Sequence, residues 1–463
     1  MRIFDRRRQT ALDQLVAEYS VQDISRRAFF QRALALGLSM SMASELLISC
    51  EAKPSPSSPQ VVEVLNVWGT DEQAAFNKVI HPFTQQHNIT VKIEATRDLD
   101  AALSTLIQNN QPPDIAILPN PGKMQELVRQ HKLVPLDTFL DMEQIRREYS
   151  PFWLDIGSDQ GVLYALFFKV ANIATIWYSP VHFQSISASI PTTWTELIKL
   201  SDNIAQHNQY PWSMGVKSGA ASGWPAADWI AEIYLNLYGP DLYDQWVLHQ
   251  IPWTHKSLKD AFQMYRQILN GKHYIKDAPQ SILDTGFQES CYPPFETPPQ
   301  ASMFYLGDFA ATFIANQFKH AKAGTDYNFF PFPSIEPRYS GSVTCGADVV
   351  VAMKNNDAVG ALVRYLATAQ AQSIWVQLGG FTSANTSVDP SAYPNTVART
   401  SARMISDATR KPTGTPIIRF GAGDRMPPAV QRAFWRGMLT FISGQSDLES
   451  ILRRIEAVAQ QSY

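Results

Sequence analysis

Loops that combine aromatic rings with carboxylates recur along this chain. Residues 68–71 read W-G-T-D, and residues 222–229 read S-G-W-P-A-A-D-W. An aromatic ring offers a flat apolar surface at little cost in conformational entropy, and a carboxylate accepts hydrogen bonds from hydroxyl groups. A site built from both residue types suits a ligand that has apolar C–H faces and a rim of hydroxyls.

Fourteen residues in such loops are candidates for ligand binding. They are Thr70, Asp71, Arg97, Asp98, Asn120, Lys169, Trp224, Asp228, Tyr305, Gly346, Asp348, Phe381, Asp424 and Arg425. Trp224 is the leading candidate for a stacking platform. Pro225 suits the first turn of a helix, so the indole before it would project from the start of that helix.

Several of these polar residues have a structural alternative. Asp71, Asp98 and Asp424 each stand where a helix could begin, so each could serve only as a helix cap. Asp348 precedes the apolar run V-V-V-A-M, where a charge needs a partner. That partner is either a ligand or hinge group, or a structural ion pair. Arg425 has enough donors to reach a ligand from the start of the last helix.

Residues 61–118 alternate between strand and helix patterns. The predicted elements are a strand at 61–67, a helix at 72–86, a strand at 89–95, a helix from 98 and a strand at 114–118. This β-α-β-α-β order implies a parallel sheet with right-handed crossovers. Ligands bind beyond the carboxyl ends of such strands, which brings the loops 68–71, 96–98 and 119–121 together.

Later segments continue the mixture of strands and helices. Extended segments are predicted at 162–170, 173–178, 327–332 and 342–353, and helices at 357–377 and 427–462. The chain of 463 residues, 45% of them hydrophobic, is long enough for two or more domain-sized units.

Charge and histidine patterns exclude several classes of function. The formal net charge is −3, so no basic field favours nucleic acid as a partner. The nine histidines have no metal-ligand spacing, and we expect neither a metal nor a cofactor. The motifs G-x-S-x-G, H-E-x-x-H and G-x-x-x-x-G-K-[ST] are absent from the sequence.

Three cysteines occur, and no C-x-x-C pair is among them. A zinc or thioredoxin-type site is therefore unsupported. If Cys50 has a separate role, Cys291 and Cys345 are either a disulfide formed in an oxidising compartment or two buried thiols.

The N-terminal segment has the order of an export signal. Arg26 and Arg27 lie in S-R-R-A-F-F, which resembles a twin-arginine motif, and an apolar run follows. Residues 47–50 read L-I-S-C and resemble a lipobox, in which Cys50 would carry the lipid anchor. We expect an export signal at 1–49 and a lipidated cysteine with a proline- and serine-rich leash at 50–60. The alternative is an ordinary short helix with a chance arginine pair.

From residue 61 onward the chain resembles the extracellular solute-binding proteins of bacterial ABC sugar importers, especially the branch that binds α-glucosides. The resemblance rests on five segments in order. They are A-T-R-D-L-D-A-A-L-S-T-L-I-Q-N-N-Q-P-P-D-I-A-I-L-P-N-P-G (95–122), K-S-G-A-A-S-G-W-P-A-A-D-W-I (217–230), C-G-A-D-V-V-V-A-M (345–353), Q-L-G-G-F-T-S-A-N (377–385) and F-G-A-G-D-R-M-P-P-A-V-Q-R-A-F-W-R-G-M (420–438). Arg425 departs from the leucine that the resemblance leads us to expect there.

The resemblance implies an α/β, two-lobed periplasmic-binding-protein fold of type II, with a ligand cleft between lobes joined by hinge segments. The implied boundaries are 61–169 plus 334–380 for lobe 1, 172–327 plus 386–463 for lobe 2, and hinges near 169–173, 327–333 and 379–385. It implies a monomer that binds a small saccharide and delivers it to ABC permease subunits in the membrane.

Two other functions fit parts of the sequence. Carboxylates near aromatic rings also occur in glycoside hydrolases, which need two carboxyls about 5–10 Å apart across the scissile bond. An exported glycoside hydrolase is therefore the alternative. A structural surface lipoprotein would not need so many aromatic residues in loops.

Overall fold

The computed structural model describes residues 14–16, 18, 25–36, 60–409 and 417–463. These described residues divide into two compact units, one within residues 1–60 and one within residues 61–463. None of the helices in these described ranges is long and apolar enough to span a bilayer.

In the first unit, helix α1 (Arg26–Ala35) contains the predicted arginine pair in its first turn. Ser25 caps this helix, because its Oγ accepts a hydrogen bond from the backbone N of Ala28. Cys50, most of the apolar run and the leash up to residue 59 lie outside the described residues.

Strands in two main sheets organise the rest of the chain. They are β1 (Gln60–Asn66), β2 (Ile89–Ala95), β3 (Ile115–Leu118), β4 (Ser158–Asp159), β5 (Val162–Leu163), β6 (Leu166–Asn172), β7 (Thr175–Tyr178), β8 (Met303–Tyr305), β9 (Asn328–Pro331), β10 (Val343–Ala352), β11 (Thr382–Ser383) and β12 (Ile418–Phe420). Strands β4 and β5 form a small separate hairpin.

The larger sheet has the order β11-β6-β10-β3-β1-β2, and β12 pairs with β10. Strands β1 and β3 run parallel, as the alternating pattern predicts. However, β10 runs antiparallel to both β3 and β6, so the whole sheet is mixed. All four residues of β3 are buried, which explains its continuous apolar run.

The smaller sheet is antiparallel and has the order β8-β7-β9. The chain passes from β6 in the larger sheet to β7 in the smaller one through residues 173–174 alone. It returns between β9 and β10. The two changes of sheet lie near the predicted hinges at 169–173 and 327–333, whereas the segment 379–385 contains β11, which pairs with β6 in the larger sheet. The hinges and lobe boundaries remain a prediction.

Helices cover both sheets. They are α2 (Thr70–Gln86), α3 (Leu99–Gln108), α4 (Pro121–Arg129), α5 (Met142–Glu148), α6 (Pro151–Ile156), α7 (Pro180–Ser185), α8 (Trp194–Gln206), α9 (Trp224–Val247), α10 (Lys256–Leu269), α11 (Gln280–Asp284), α12 (Ala310–Gln317), α13 (Asp357–Ala367), α14 (Ala369–Leu378), α15 (Thr396–Thr409), α16 (Ala422–Arg425), α17 (Pro428–Ser443) and α18 (Leu448–Ser462). Short 3-10 turns lie at Leu136–Thr138, Gly219–Ala221, Glu289–Cys291, Pro293–Phe295, Pro337–Tyr339 and Pro390–Ala392.

Two predicted long helices are each divided in two. Thr368 ends α13 and caps α14, because its side chain accepts a hydrogen bond from the backbone N of Ala371. Gly444 ends α17 with φ +69°, a left-handed conformation that glycine adopts without strain. The periodicity predicts the helical character of both segments, but it does not locate these breaks.

Cys291 and Cys345 are both buried as free thiols. They lie in separate hydrophobic clusters, Cys291 with Trp177 and Phe304, and Cys345 in the main core. The disulfide interpretation therefore does not hold in this structure.

Glu232 places a carboxyl group in the core between α9 and β10, with no exposed surface. Its Oε2 accepts hydrogen bonds from the backbone N (2.9 Å) and the hydroxyl of Thr344, and its Oε1 accepts one from Nδ2 of Asn236 (2.7 Å). Burial raises the pKa of Glu232 to about 7, and these hydrogen bonds offset only part of that rise.

This raised pKa predicts that stability falls as the pH rises from about 4.5 to about 7, because the folded state then holds a proton that the unfolded state has released. The Glu232→Gln variant should lose this contribution, about 3 kcal/mol at most, between pH 5 and pH 8. Denaturant unfolding at both pH values measures it. The exposed Glu94→Gln is the control and should keep the wild-type pH dependence. An unchanged pH dependence in Glu232→Gln would show that the buried carboxyl ionises normally.

Candidate functional site

A cavity of about 550 Å³ opens where elements of the two sheets meet. Its walls come from the loops after β1, β2 and β3, from β6 and β10, and from the starts of α9 and α17. Six aromatic side chains contribute to the lining: Trp68, Trp224, Phe287, Phe309, Phe313 and Trp435.

The structure brings nine of the fourteen candidate residues to this cavity. They are Arg97, Asp98, Asn120, Lys169, Trp224, Asp228, Gly346, Asp348 and Asp424. The other five, Thr70, Asp71, Tyr305, Phe381 and Arg425, do not line it.

Four rings form one continuous apolar wall. The ring centroids of Trp224 and Phe287 are 5.3 Å apart, and those of Phe287 and Phe313 are 5.9 Å apart. Phe309 completes the group at 6.0 Å from Phe313 and 6.2 Å from Trp224. These distances are typical of aromatic clusters in which tilted rings support one another. The wall therefore offers a rigid apolar surface to a ligand.

The start of α9 fixes the position of Trp224. Gly223 precedes it with φ +102°, and a Cβ atom there would lie 2.4 Å from the backbone O of Trp435. Only glycine permits this close approach of α9 to α17. Pro225 lies in the first turn of α9, as the sequence indicates, although the helix begins one residue earlier.

A buried ion pair forms the floor of the cavity. Nζ of Lys169 lies 2.6 Å from Oε1 of Glu72 and 3.7 Å from Oδ2 of Asp348. Nε1 of Trp68 donates a hydrogen bond of 2.7 Å to the same oxygen of Asp348. Lys169 belongs to β6, Asp348 to β10 and Glu72 to α2, so three elements meet at one ammonium group.

Burial and the neighbouring opposite charges shift the pKa values of Lys169, Glu72 and Asp348 in opposite directions. Burial by itself raises the pKa of Glu72, but the attraction of Lys169 leaves that pKa below its usual value. Burial likewise lowers the pKa of Lys169, and the carboxylates of Glu72 and Asp348 raise it overall. The pKa of Asp348 stays raised by burial, because its carboxylate is the more distant partner of the ammonium. Lys169 thus pairs mainly with Glu72.

Two carboxyl groups in the cavity lining, those of Asp228 and Asp424, form no ion pair within the described residues. The carboxyl of Asp228, half-buried in the first turn of α9, accepts no hydrogen bond from the described part of the protein. Burial, followed by the charges of Asp424 and Glu232, raises the pKa of Asp228 well above its usual value. Burial also raises the pKa of Asp424 to about 7, although its Oδ1 accepts a hydrogen bond of 2.8 Å from Nε2 of Gln431. These groups are available to hydroxyl donors of a ligand.

Asp98 and Asn120 both lie at helix starts, but only Asn120 caps its helix. Asp98 occupies the cap position of α3, but its side chain makes no capping hydrogen bond and remains exposed at the cavity. Asn120 does cap α4, since its Oδ1 accepts from the backbone N of Lys123 (3.1 Å). Its Nδ2 also donates to Oε1 of Gln431 (3.3 Å), so both of its polar atoms already have partners in the protein.

Two aromatic candidates lie in the core instead. Tyr305 is 6% exposed, its ring packs 4.5 Å from that of Trp229, and its hydroxyl donates to the backbone O of Asp228 (3.3 Å). Phe381 is 3% exposed and stacks 5.2 Å from Trp375.

The three remaining candidates have other positions. Thr70 borders a neighbouring surface hollow, together with Gln73 and Asn77. Oδ2 of Asp71 accepts a hydrogen bond of 2.6 Å from Nδ2 of Asn316. Nη1 of Arg425 lies 3.8 Å from Oδ1 of Asp244 and so points away from the cavity lining.

Sequence reasoning missed several residues of the cavity. The sequence predicts Glu72 only as the start of a helix, but its place next to Asp71, close after the carboxyl end of β1, is a signal for the cavity. Phe309, which directly precedes α12, lies one turn from Phe313, and Gln431 and Trp435 lie one turn apart on α17. This spacing marks a shared helix face, but it does not distinguish a cavity wall from a core face. No group of histidine, cysteine or acidic side chains suited to a metal ion occurs among the described residues.

Comparison with known proteins gives consistent matches. A profile of the family described as bacterial extracellular solute-binding protein matches residues 68–373. The osmoprotective compounds-binding protein GgtB of Synechocystis sp. is 29% identical over 396 residues, covering 85% of this chain and 91% of that protein. The alpha-glucosides-binding periplasmic protein AglE of Rhizobium meliloti is 27% identical over 400 residues, covering 84% of this chain and 85% of that protein.

Solved structures with the same fold include a chitin oligosaccharide binding protein, with a TM-score of 0.74 and 18% identity over 88% of this chain and 99% of that chain. The bacterial solute receptor AcbH, reported to prefer β-D-galactopyranose, has a TM-score of 0.73 and 18% identity over 87% of this chain and 98% of that chain. These likenesses confirm the predicted two-lobed α/β fold.

Proposed function

Because the chain belongs to the bacterial extracellular solute-binding protein family, we propose that it is the substrate-binding subunit of an ABC importer for a small saccharide. The observation that carries this proposal is the cavity, whose lining combines a wall of four aromatic rings with the carboxyl groups of Asp228 and Asp424, which form no ion pair within the described residues. An apolar wall suits the C–H face of a sugar ring, and carboxylates suit its hydroxyls.

The proposed ligand is an α-glucoside or a glucosylated polyol of di- to trisaccharide size. The cavity volume of about 550 Å³ lies in the ordinary range for small-molecule sites. The names of the two relatives, one binding alpha-glucosides and the other osmoprotective compounds, support this ligand class. Asp98, Asp228 and Asp424 would accept hydrogen bonds from the sugar, and Trp224 would stack against it.

The proposed mechanism is closure of the two lobes around the sugar. A ligand that contacts both lobes favours the closed form only by its higher affinity for that form. We assign lobe 1 to 61–169 plus 334–380 and lobe 2 to 172–327 plus 386–463. The passage of the chain from β6 to β7 through residues 173–174 supports the first hinge. The closed monomer would then deliver its sugar to a membrane permease.

Titration of the protein spanning residues 51–463 with sucrose, trehalose, maltose and glucosylglycerol tests this function by calorimetry. We expect saturable one-to-one binding of at least one sugar, which is recovered unchanged. New saccharide products would instead support the alternative function, an exported glycoside hydrolase. No specific feature of the described cavity favours that alternative. Absence of binding and of products across this panel would contradict the proposed ligand class.

Trp224→Ala should weaken binding of that sugar at least tenfold, or about 1.4 kcal/mol, because it removes one ring of the apolar wall. The matched control is Trp224→Phe, which keeps a flat ring and should stay within about threefold of the wild type. Circular dichroism checks that both variants are folded. Equal affinity of Trp224→Ala and wild type would remove Trp224 from the binding site.

We also propose that the chain is exported and anchored to the membrane through a lipid on Cys50. The lipobox-like L-I-S-C sequence and the arginine pair support this proposal. In cells that express the full chain, we expect wild type in the membrane fraction. Cys50→Ala should keep sugar binding but lose the lipid, which mass spectrometry of the N-terminal peptide detects. An unmodified Cys50 in the wild-type protein would refute the anchor.

A further inference from the structure

Two polar contacts at or beside the cavity join segments of the proposed lobe 1 to segments of the proposed lobe 2. Oδ2 of Asp71 accepts a hydrogen bond from Nδ2 of Asn316 at 2.6 Å. Oδ2 of Asp100 accepts one from Nη1 of Arg432 at 3.2 Å. The two carboxylates belong to the first turns of α2 and α3, next to β1 and β2 of the larger sheet. The two donors belong to α12 and α17.

The helices that carry the donors pack elsewhere. Helix α12 belongs to the cluster around the smaller sheet, since Phe313 and Ile314 pack with Trp177 and Phe304. In α17, the ring of Phe441 packs against α10, with centroids 5.1 Å from Phe262. The contact between Asp71 and Asn316 therefore connects helices whose buried residues lie in different hydrophobic clusters, whereas α3 and α17 both pack in the main core.

The contact between Asp71 and Asn316 lies beside the cavity but outside its lining. Glu72, the neighbour of Asp71, lines the cavity, and so does Phe313, one turn before Asn316 on α12. Asp71 and Asn316 themselves do not line it. Their side chains can therefore affect binding without touching the ligand.

We propose, resting on the proposed function, that Asp71–Asn316 and Asp100–Arg432 form a polar clasp that stabilises the closed state and so sets the affinity for the sugar. Asp71 is then a positioning residue and not a direct ligand contact. The apparent affinity of a binding protein falls with the fraction of molecules in the competent state. A contact that holds the lobes together raises that fraction before any sugar is present.

The clasp is expected to have a modest effect. Contacts between exposed charged groups contribute little to stability, and salt screens them. Breaking one of them should therefore change the affinity by less than the loss of a stacking ring.

The test uses an isosteric change in the full-length chain. Asn316→Asp places two carboxylates in contact, so repulsion should favour the open state. Titration with sucrose, trehalose, maltose and glucosylglycerol should show an affinity about three- to tenfold lower for the sugar that binds the wild type, mainly through faster dissociation. Asn316→Ala, which only removes the hydrogen bond, should lose about twofold to threefold.

The matched control exchanges the carboxylate of residue 71 and the amide of residue 316. Asp71→Asn combined with Asn316→Asp restores an amide–carboxylate pair in the reverse direction, and its affinity should return to within about twofold of the wild type. A loss that this exchange does not rescue would show that Asn316 contacts the sugar directly, and would overturn the clasp. Unchanged affinity in Asn316→Asp would also overturn it.

A measurement without sugar separates this proposal from the proposed function. Spin labels on Lys78→Cys and Lys319→Cys, both at exposed positions, report the distance between the two proposed lobes. The mean distance should lengthen in Asn316→Asp and return in the exchanged pair, even if no sugar of the panel binds. A distance distribution that is the same in all three proteins would overturn the clasp, whatever the titrations show.

Discussion

The cavity depends most on the electrostatic contacts that the ammonium group of Lys169 makes with two carboxylates. The ammonium holds Glu72 of α2 and Asp348 of β10 at the floor of the cavity. Removal of this charge would take the ammonium partner away from Glu72 and Asp348, and breaking a buried pair costs about 3–5 kcal/mol. Lys169 also lies in β6, the strand from which the chain leaves the larger sheet. Lys169 thus balances the charge of the carboxylates at the floor of the cavity, and it places them next to the passage of the chain from β6 to β7.

Local patterns were sufficient to predict much of the fold. The alternation of strands and helices from 61 to 118 depends on short-range periodicity, and the structure has these elements in this order. The mixed character of the larger sheet had no local signal. Strand β10 pairs antiparallel with β3 and β6, which lie more than a hundred residues earlier in the sequence. Such pairing is decided by the tertiary packing, and so are the helix ends at Thr368 and Gly444.

The candidate site was predictable where side chains follow the carboxyl ends of strands or begin helices. Trp224, Asp228 and Asp98 reach the cavity for that reason. Tyr305 and Phe381 do not line the cavity, because both side chains are buried in the core. An aromatic residue near a loop looks the same in the sequence whether it lines a cavity or fills the core. The pairing of Glu72 with Lys169 could not be recognised, because the two residues lie 97 positions apart in the sequence.

The two buried thiols have a consequence for the synthesis of the protein. Cys291 and Cys345 are packed in separate clusters, and no covalent bond between them contributes to this fold. Packing of the chain from residue 60 onward therefore does not require an oxidant or a disulfide isomerase. The same structure is accessible in a reducing and in an oxidising compartment, so the redox state of the compartment does not dictate whether folding precedes or follows passage across a membrane.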